Sequence, residues 1–117
     1  MKKITTTCPV ERSLHFIGGK WRLCIIQRLA SKIFRFNELH RTIPDISQKI
    51  LTQELRSLEN SGFVNRKKYP TKSPKVEYQL TEDGKSLLLL IGELEKWAIH
   101  KENHINQLVN NHNKKII

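Results

Sequence analysis

The sequence predicts a mainly α-helical fold with a small β-hairpin, and the evidence lies between Arg35 and Gly84. An apolar helical repeat there ends at a proline, and a second amphipathic repeat follows it directly. Two short segments with alternating apolar residues come next, joined by a proline-containing turn, and a further helix start follows them. The order helix, turn, helix, hairpin and helix is that of a winged helix-turn-helix, a fold that can place one helix in a DNA groove.

The first helix of the motif has one apolar face, formed by Phe36, Leu39 and Ile43. Pro44 lacks an amide hydrogen and ends this helix. Ser47 is then a good N-cap for the second helix, and Ile46 and Leu51 are placed to contact each other across the cap. That contact would fix the angle at which the second helix leaves the turn.

The second helix is predicted from Gln48 to Asn60, with Leu51, Leu55 and Leu58 on its apolar face. Its opposite face carries Lys49, Gln53, Arg56 and Asn60, with Thr52 beside them. Arginine and lysine can pair with guanine, glutamine with adenine, and the threonine methyl can contact thymine. From this helix and its cap, the residues predicted to contact DNA are Ser47, Gln48, Lys49, Thr52, Gln53 and Arg56. An ordinary amphipathic helix with a solvated polar face is the alternative.

A basic hairpin is predicted next, after Ser61 and Gly62 end the helix. Its strands run from Phe63 to Tyr69 and from Lys75 to Leu80, with a tip from Pro70 to Pro74. The cations of the hairpin are Arg66, Lys67, Lys68, Lys72 and Lys75. A cationic hairpin in this place suits contacts with phosphate, and Lys67 and Lys72 are the predicted contacts from it.

The charge balance indicates a polyanionic partner for this single domain, residues 1–117. Lys and Arg number 21 against 11 Asp and Glu, a formal net charge of +10, so double-stranded DNA is the expected partner. A membrane surface is not expected, because the basic residues do not line one amphipathic helix. Without a signal-peptide pattern or a long apolar run, we expect a cytoplasmic protein whose two cysteines form no structural disulfide.

Two helices are expected before the motif. The first has Val10, Leu14 and Ile17 on one face and is interrupted at Gly18 and Gly19. The second, from about Lys20 to Ser31, closes the core with Trp21, Cys24, Ile25 and Leu29. The aromatic residues predicted for the core are Trp21, Phe36, Phe63, Tyr78 and Trp97. Because readers of single-stranded RNA expose aromatic rings for stacking, this assignment disfavours RNA binding.

A C-terminal helix, from about residue 81 to 109, is predicted to mediate dimerisation. Thr81 is its N-cap. Leu87 to Ile91 are apolar on every side of the helix, and a single subunit cannot bury all of this apolar surface. Leu87, Leu90 and Trp97 are predicted to face the chain's own core. Ile91, Leu94, Ala98, Ile105 and Leu108 are predicted to face a partner helix. A helix packed only on its own domain is the alternative, and Asn110 to Ile117 are expected to fray.

Motifs distributed from about Cys8 to Trp97 carry a family resemblance. They are Cys8-Pro9, Gly18-Gly19-Lys20-Trp21, Arg35-Phe36-Asn37-Glu38-Leu39, Ile46-Ser47 with Lys49 and Leu51-Thr52, Leu58-Glu59, Gly62, and Val76-Glu77-Tyr78 with Leu80-Thr81 and Gly84. Together they resemble the HxlR-type bacterial transcription regulators. The resemblance implies a dimeric winged-helix protein related to the MarR-type regulators, with Ser47 to Asn60 as recognition helix and the hairpin around Lys72 as wing.

Cys8 is a candidate sensor residue. It precedes a proline in a short basic arm, where Lys2, Lys3 and Arg12 would favour the thiolate. Some regulators of the resembled family use a cysteine near this position for sensing, so the resemblance implies a redox or electrophile sensor. An inert, half-buried thiol is the alternative, and Cys24 on an apolar helical face is predicted to lie in the core.

Neither a metal site nor an enzyme is expected. His100 and His104 lie one helical turn apart, but no carboxylate or cysteine completes a ligand set at obvious spacing. The sequence has no glycine-rich phosphate loop and no Ser/His/Asp arrangement, so no cofactor is expected. We therefore predict a dimeric, sequence-specific DNA-binding transcription regulator, with a redox or small-molecule effector left open. A winged-helix module that binds RNA or a protein is the alternative.

Overall fold

Helices surround one small sheet in the computed structural model, which describes residues 5–70, 72–73 and 75–116. In chain order the elements are α1 (Pro9–Ile17), α2 (Arg22–Leu29), β1 (Phe34–Arg35), α3 (Phe36–Thr42), α4 (Gln48–Asn60), β2 (Val64–Tyr69), β3 (Lys75–Leu80), α5 (Glu82–Lys85) and α6 (Leu88–Ile116). The motif helices α3 and α4 and the hairpin of β2 and β3 confirm the predicted winged helix-turn-helix.

The three strands form an antiparallel sheet in the order β1-β3-β2. The hairpin pairs from Val64 opposite Leu80 to Tyr69 opposite Lys75. On the other edge of β3, the two residues of β1 pair with Tyr78 and Glu77. β1 was not predicted, because two residues are too few to show the alternation of a strand.

The turn of the motif is held by the predicted Ser47 cap and by a contact of His40 that was not predicted. The side-chain oxygen of Ser47 accepts a hydrogen bond from the backbone N–H of Ile50 at 3.1 Å. Ile46 and Leu51, on either side of this cap, are both buried. A ring nitrogen of His40 in α3 lies 2.8 Å from the carbonyl oxygen of Ile46. These bonds position the start of α4 relative to α3.

The core lies between α2, α3, α4 and the inner face of the sheet. Its buried side chains are Ile17, Ile25, Ile26, Leu29, Phe34, Leu39, Ile43, Ile46, Leu51, Leu55, Leu58, Phe63, Val64, Leu80 and Ile91. Trp21, Cys24, Phe36 and Tyr78 are half-buried and pack against this cluster. They occupy the core positions predicted for them, although each keeps a solvent-facing part.

Arg22 connects three helices through its guanidinium group. Its Nε donates a hydrogen bond to Oε2 of Glu54 in α4 at 3.0 Å. Its Nη1 lies within hydrogen-bond distance of two carbonyl oxygens of α1, His15 at 3.2 Å and Phe16 at 2.9 Å. The last turn of α1, the start of α2 and the middle of α4 therefore share one side chain.

The C-terminal segment is not the single helix predicted from residue 81 to 109. The hydroxyl oxygen of Thr81 does accept a hydrogen bond from the backbone N–H of Gly84, as expected of an N-cap. The helix that begins there ends at Lys85, and α6 begins only at Leu88. The direction of α5 is set by its contact with the end of the sheet, whereas that of α6 is set by its packing on α2. The tail expected to fray from Asn110 instead continues α6 to Ile116.

The faces of α6 also differ from the prediction. Ile91, predicted to face a partner, is only 8% exposed and belongs to the chain's own core. Trp97, predicted for the core, is 65% exposed, and Leu90 is exposed as well. The first turns of α6 pack on α2, whereas the side chains from residue 99 to 113 are all exposed. Only the beginning of α6 therefore contributes to the core. Over the described part of the chain, none of the helices has the length and apolar character needed to cross a membrane.

Candidate nucleic-acid interface

α4 presents the polar face predicted for it. Ser47, Gln48, Lys49, Gln53 and Arg56 are exposed, and Thr52 is half-buried beside them. The Thr52 hydroxyl donates a hydrogen bond to the carbonyl oxygen of Gln48 at 2.8 Å, so the methyl group is the part left to contact a base. Six predicted residues therefore share one exposed surface at the start and middle of α4.

The wing divides its cations between two faces, because successive side chains of a strand point to opposite sides. Val64 is buried, and Arg66 forms an ion pair with Glu59 of α4, so this alternate set faces α4. Lys68 belongs to the same set by alternation. Lys67, a predicted phosphate contact, lies on the other face, with its Nζ 5.0 Å from the centre of the Tyr69 ring. Arg66 and Lys68 were not among the predicted DNA contacts. Counting alternate positions from Val64 would have placed both on the face of the hairpin towards α4.

The exposed tip of the wing carries Lys72, the other predicted phosphate contact. The neighbouring positions 71 and 74 lie outside the described residues.

A cavity of about 230 Å³ separates α4 from the wing. It is lined by Thr52, Leu55, Arg56, Glu59, Arg66 and Tyr78. Nε of Arg66 lies 3.6 Å from Oε1 of Glu59, which links the wing to the last turn of α4. Burial raises the pKa of the Tyr78 phenol and is the largest effect. The charge of Glu59 also raises this pKa, whereas the charges of Arg66 and Arg56 lower it, and the net shift is upward. The phenol is therefore neutral at physiological pH and can donate or accept a hydrogen bond.

Exposed apolar side chains also occur on α6 and on α1. Those on α6, which make up its apolar surface, are Leu89, Leu90, Leu94, Trp97, Ile99, Ile105, Leu108 and Val109, and those on α1 are Val10 and Leu14. Of the predicted partner contacts, Leu94, Ile105 and Leu108 belong to this surface, Ala98 is half-buried, and Ile91 is in the core. A groove of about 260 Å³ beside Leu94 runs between α6 and α2 and contains Cys24.

The two cysteines have different environments. Cys8 is exposed at the N-cap of α1, where its thiol makes no capping hydrogen bond, and its carbonyl oxygen accepts from the backbone N–H of Arg12 at 3.0 Å. Cys24 is half-buried on α2. Lys2 and Lys3, named with Arg12 as neighbours that would favour a thiolate, lie outside the described residues.

The histidines of α6 form no metal centre within the described residues. His100 and His104 are both exposed. No group of three or more His, Cys, Asp or Glu side chains able to hold a metal ion occurs in the part of the chain that the structure covers.

Comparison with known proteins identifies the family. The model of the HxlR-like helix-turn-helix family matches residues 16–106. The HTH-type transcriptional regulator YtcD of Bacillus subtilis is 44% identical over 108 residues, covering 92% of this chain and 83% of YtcD. The relatives are named as transcriptional regulators and not as enzymes.

Two solved structures of regulators described by their redox state are also similar. The reduced form of the redox regulator HypR has a TM-score of 0.79 at 38% identity, covering 86% of this chain and 99% of HypR. The reduced form of the transcriptional regulator YodB from B. subtilis has a TM-score of 0.70 at 38% identity, covering 80% of this chain and 92% of YodB. With a family match over most of its length and relatives of this identity, the chain belongs to the HxlR-like helix-turn-helix family of transcriptional regulators.

Proposed function

We propose that this regulator binds double-stranded DNA sequence-specifically as a homodimer, with one α4 helix per subunit in the major groove and the wing on the flanking backbone. The observation that carries the proposal is the exposed polar face of α4, flanked by a cationic wing in a chain of net charge +10. Polar side chains on a protruding helix suit the edges of bases, and the surrounding cations suit phosphates.

The dimer is supported by the exposed apolar surface of α6. Leu94 is 44% exposed, and the projecting part of the helix carries Trp97, Ile105 and Leu108 on its surface. A second copy of α6 would bury these side chains, and two linked α4 helices would then reach successive turns of one duplex. Trp97 is the one exposed aromatic that could suggest stacking on RNA, but its apolar neighbours suit a protein contact better.

A binding selection tests the proposal directly. A random library of duplexes of about 30 base pairs, long enough for two half-sites, is enriched on the protein. The enriched duplex is then titrated against a random duplex and a single-stranded RNA of the same length. We expect an inverted repeat to be enriched and to bind far more tightly than either competitor. Equal binding of RNA and duplex would contradict the proposal.

Arg56 and Lys72 are expected to contribute differently to binding. Arg56→Ala should weaken binding to the selected duplex by about 1 to 3 kcal/mol and relax the preference at one base pair, because arginine reads a base edge. Lys72→Ala should weaken binding to every duplex, because the lysine is expected to contact phosphate. The slope of log affinity against log salt concentration should become less steep by about one. Both residues are exposed, so both variants should fold. Identical losses on selected and random duplex for the two variants would refute this division.

We further propose that Cys8 is a thiol sensor. Its exposure at the N-cap of α1 supports this role, as does the similarity of the fold to a redox regulator solved in reduced and oxidised forms. The thiol is accessible to a reagent, and α1 is linked through Arg22 to α4. Modification of Cys8 would therefore act on an element connected to the DNA-binding helix.

A mild oxidant or a thiol-reactive electrophile is expected to modify Cys8 before Cys24, because only Cys8 is exposed. Modification should change the affinity for the selected duplex, whereas Cys8→Ser should bind normally and ignore the reagent. Mass spectrometry of the treated protein, combined with a DNA titration, measures both effects. Cys24→Ser serves as the matched control and should respond like the wild type. An unchanged affinity after complete modification of Cys8 would assign it an inert role.

A further inference from the structure

A notch lies between α3 and the start of β3, next to the tip of the wing, and no residue of α4 lines it. Its volume is about 690 Å³, and its lining includes Arg35, Phe36, Glu38, Arg41, Lys75 and Val76. The notch exists because β1 is only two residues long and pairs with Glu77 and Tyr78. The outer residues of β3, Lys75 and Val76, extend past the end of β1, where the chain turns into α3.

The notch carries more positive than negative charge. Arg35, Arg41 and Lys75 supply three cations to its lining, and Glu38 supplies the one carboxylate. Among the residues that the structure describes, neither Arg35 nor Arg41 forms an ion pair through its guanidinium group. The ammonium group of Lys75 lies 3.7 Å from Oε1 of Glu77, a distance that leaves this pair weak and partly solvated.

The carboxylate of Glu38 is engaged mainly by the backbone of Arg35 and by Lys32, with a weaker attraction to the Arg35 side chain. Its Oε1 accepts a hydrogen bond from the backbone N–H of Arg35 at 3.0 Å. Its Oε2 lies 3.5 Å from Nζ of Lys32. The backbone hydrogen bond from Arg35 is the main cause that lowers the pKa of Glu38; desolvation opposes it, and the charges of Lys32 and Arg35 lower the pKa further. The carboxylate therefore does little to neutralise Arg41.

From this arrangement we propose that the notch binds phosphate groups of the duplex backbone, as a second contact region beside α4 and the wing tip. The inference rests on the proposed DNA-binding function and adds to it a site formed by Arg35, Arg41 and Lys75. One side of the notch is the first helix of the helix-turn-helix, and the other is a strand of the wing. The first helix of a helix-turn-helix crosses the phosphate backbone when the second lies in the major groove, so a duplex bound by α4 would bring phosphates to α3.

Phosphate fits the notch better than a base edge. Guanidinium groups bind phosphate oxygens through two parallel hydrogen bonds, and an ammonium group adds a compact charge. The notch is also a recess, whereas base reading requires an element that projects into a groove. Contacts of this kind should therefore raise the affinity for all duplexes without changing the preferred sequence.

The test measures the salt dependence of binding to a fluorescent random-sequence duplex for Arg41→Ala and Lys75→Ala. Each variant should bind more weakly than the wild type, and its slope of log affinity against log salt should be less steep by about 0.9. The ratio of affinities for selected and random duplex should not change. Arg41→Gln, which removes the charge but keeps a long polar side chain, should behave like Arg41→Ala, and circular dichroism verifies that each variant is folded.

Lys85→Ala is the matched control, because Lys85 likewise lies near a glutamate, at 3.2 Å from Glu82, but belongs to α5 outside the notch. It should keep the wild-type slope. Folded notch variants with the wild-type slope would overturn the phosphate site while leaving the proposed function intact. A changed ratio of selected to random affinity would also overturn it, since the notch would then read sequence. Failure of the wild type and of Lys85→Ala to bind any duplex would instead reject the proposed function.

Discussion

Leu94→Glu is expected to leave the subunit folded and to weaken binding to the selected duplex by about 10²- to 10⁴-fold. Leu94 is exposed in the single chain, so a carboxylate there meets water as long as the subunit is alone. In the proposed dimer the same carboxylate would be buried against a partner helix, which is strongly unfavourable. The loss of affinity follows because two half-sites no longer bind as one unit.

Ile91→Glu, three residues earlier in α6, should behave differently. Ile91 is a buried residue of the chain's own core, so the new carboxylate should unfold the subunit itself. Circular dichroism and light scattering distinguish a folded monomer from an unfolded chain. Lys96→Glu is the control, because it introduces the same side chain on the same helix at a position that is 79% exposed. A Leu94→Glu protein that remains a dimer would contradict the proposed contact.

Gly84→Ala is expected to destabilise the fold by about 3 kcal/mol. A Cβ atom at this buried position would lie 2.2 Å from the carbonyl oxygen of Phe63 and 3.2 Å from Cδ2 of Leu80. The same carbonyl oxygen accepts a hydrogen bond from the backbone N–H of Thr81 at 3.1 Å, so it cannot move without losing that bond. Equilibrium unfolding in urea measures the change.

Gly92→Ala is the control, because it should change the free energy of unfolding in the opposite direction. Gly92 lies inside α6, and a Cβ atom there would meet nothing within 4 Å. Alanine should therefore stabilise the helix by about 0.5 to 1 kcal/mol, because glycine loses more backbone freedom on folding. If both alanine variants changed the free energy of unfolding equally, the close approach of α5 to the Phe63 carbonyl would not be the cause.

The sequence predicted α4 well because its determinants are local. Ser47 caps the helix, its leucines recur with the helical period, and Gly62 ends it with a φ of 83° that favours glycine. The bounds of α4 agree with the prediction at both ends, and those of β3 agree as well. The polar face of α4 follows directly from the same periodicity.

Other features depended on contacts between distant residues and could not be predicted in this way. The apolar run from Leu87 to Ile91 shows that the segment is buried, but only the packing on α2 determines that Ile91 faces inwards. Trp97 is exposed because, six residues after the buried Ile91, it lies about 120° around the helix from that side chain. Similarly, the cations of the hairpin were visible in the sequence, whereas their division between two faces required the register with β3.

The position of α4 depends on the hydrogen bonds of Arg22 as well as on the packing of its apolar face. One guanidinium group fastens Glu54 of α4 to the carbonyl oxygens of His15 and Phe16 at the end of α1. Hydrogen bonds of a charged group contribute about 1.5 to 3 kcal/mol, comparable to the reading of one base pair. A rotation of α1 must therefore either carry α4 with it or break a bond of that strength. Arg22 therefore couples the orientation of α1 to that of α4, the proposed recognition helix.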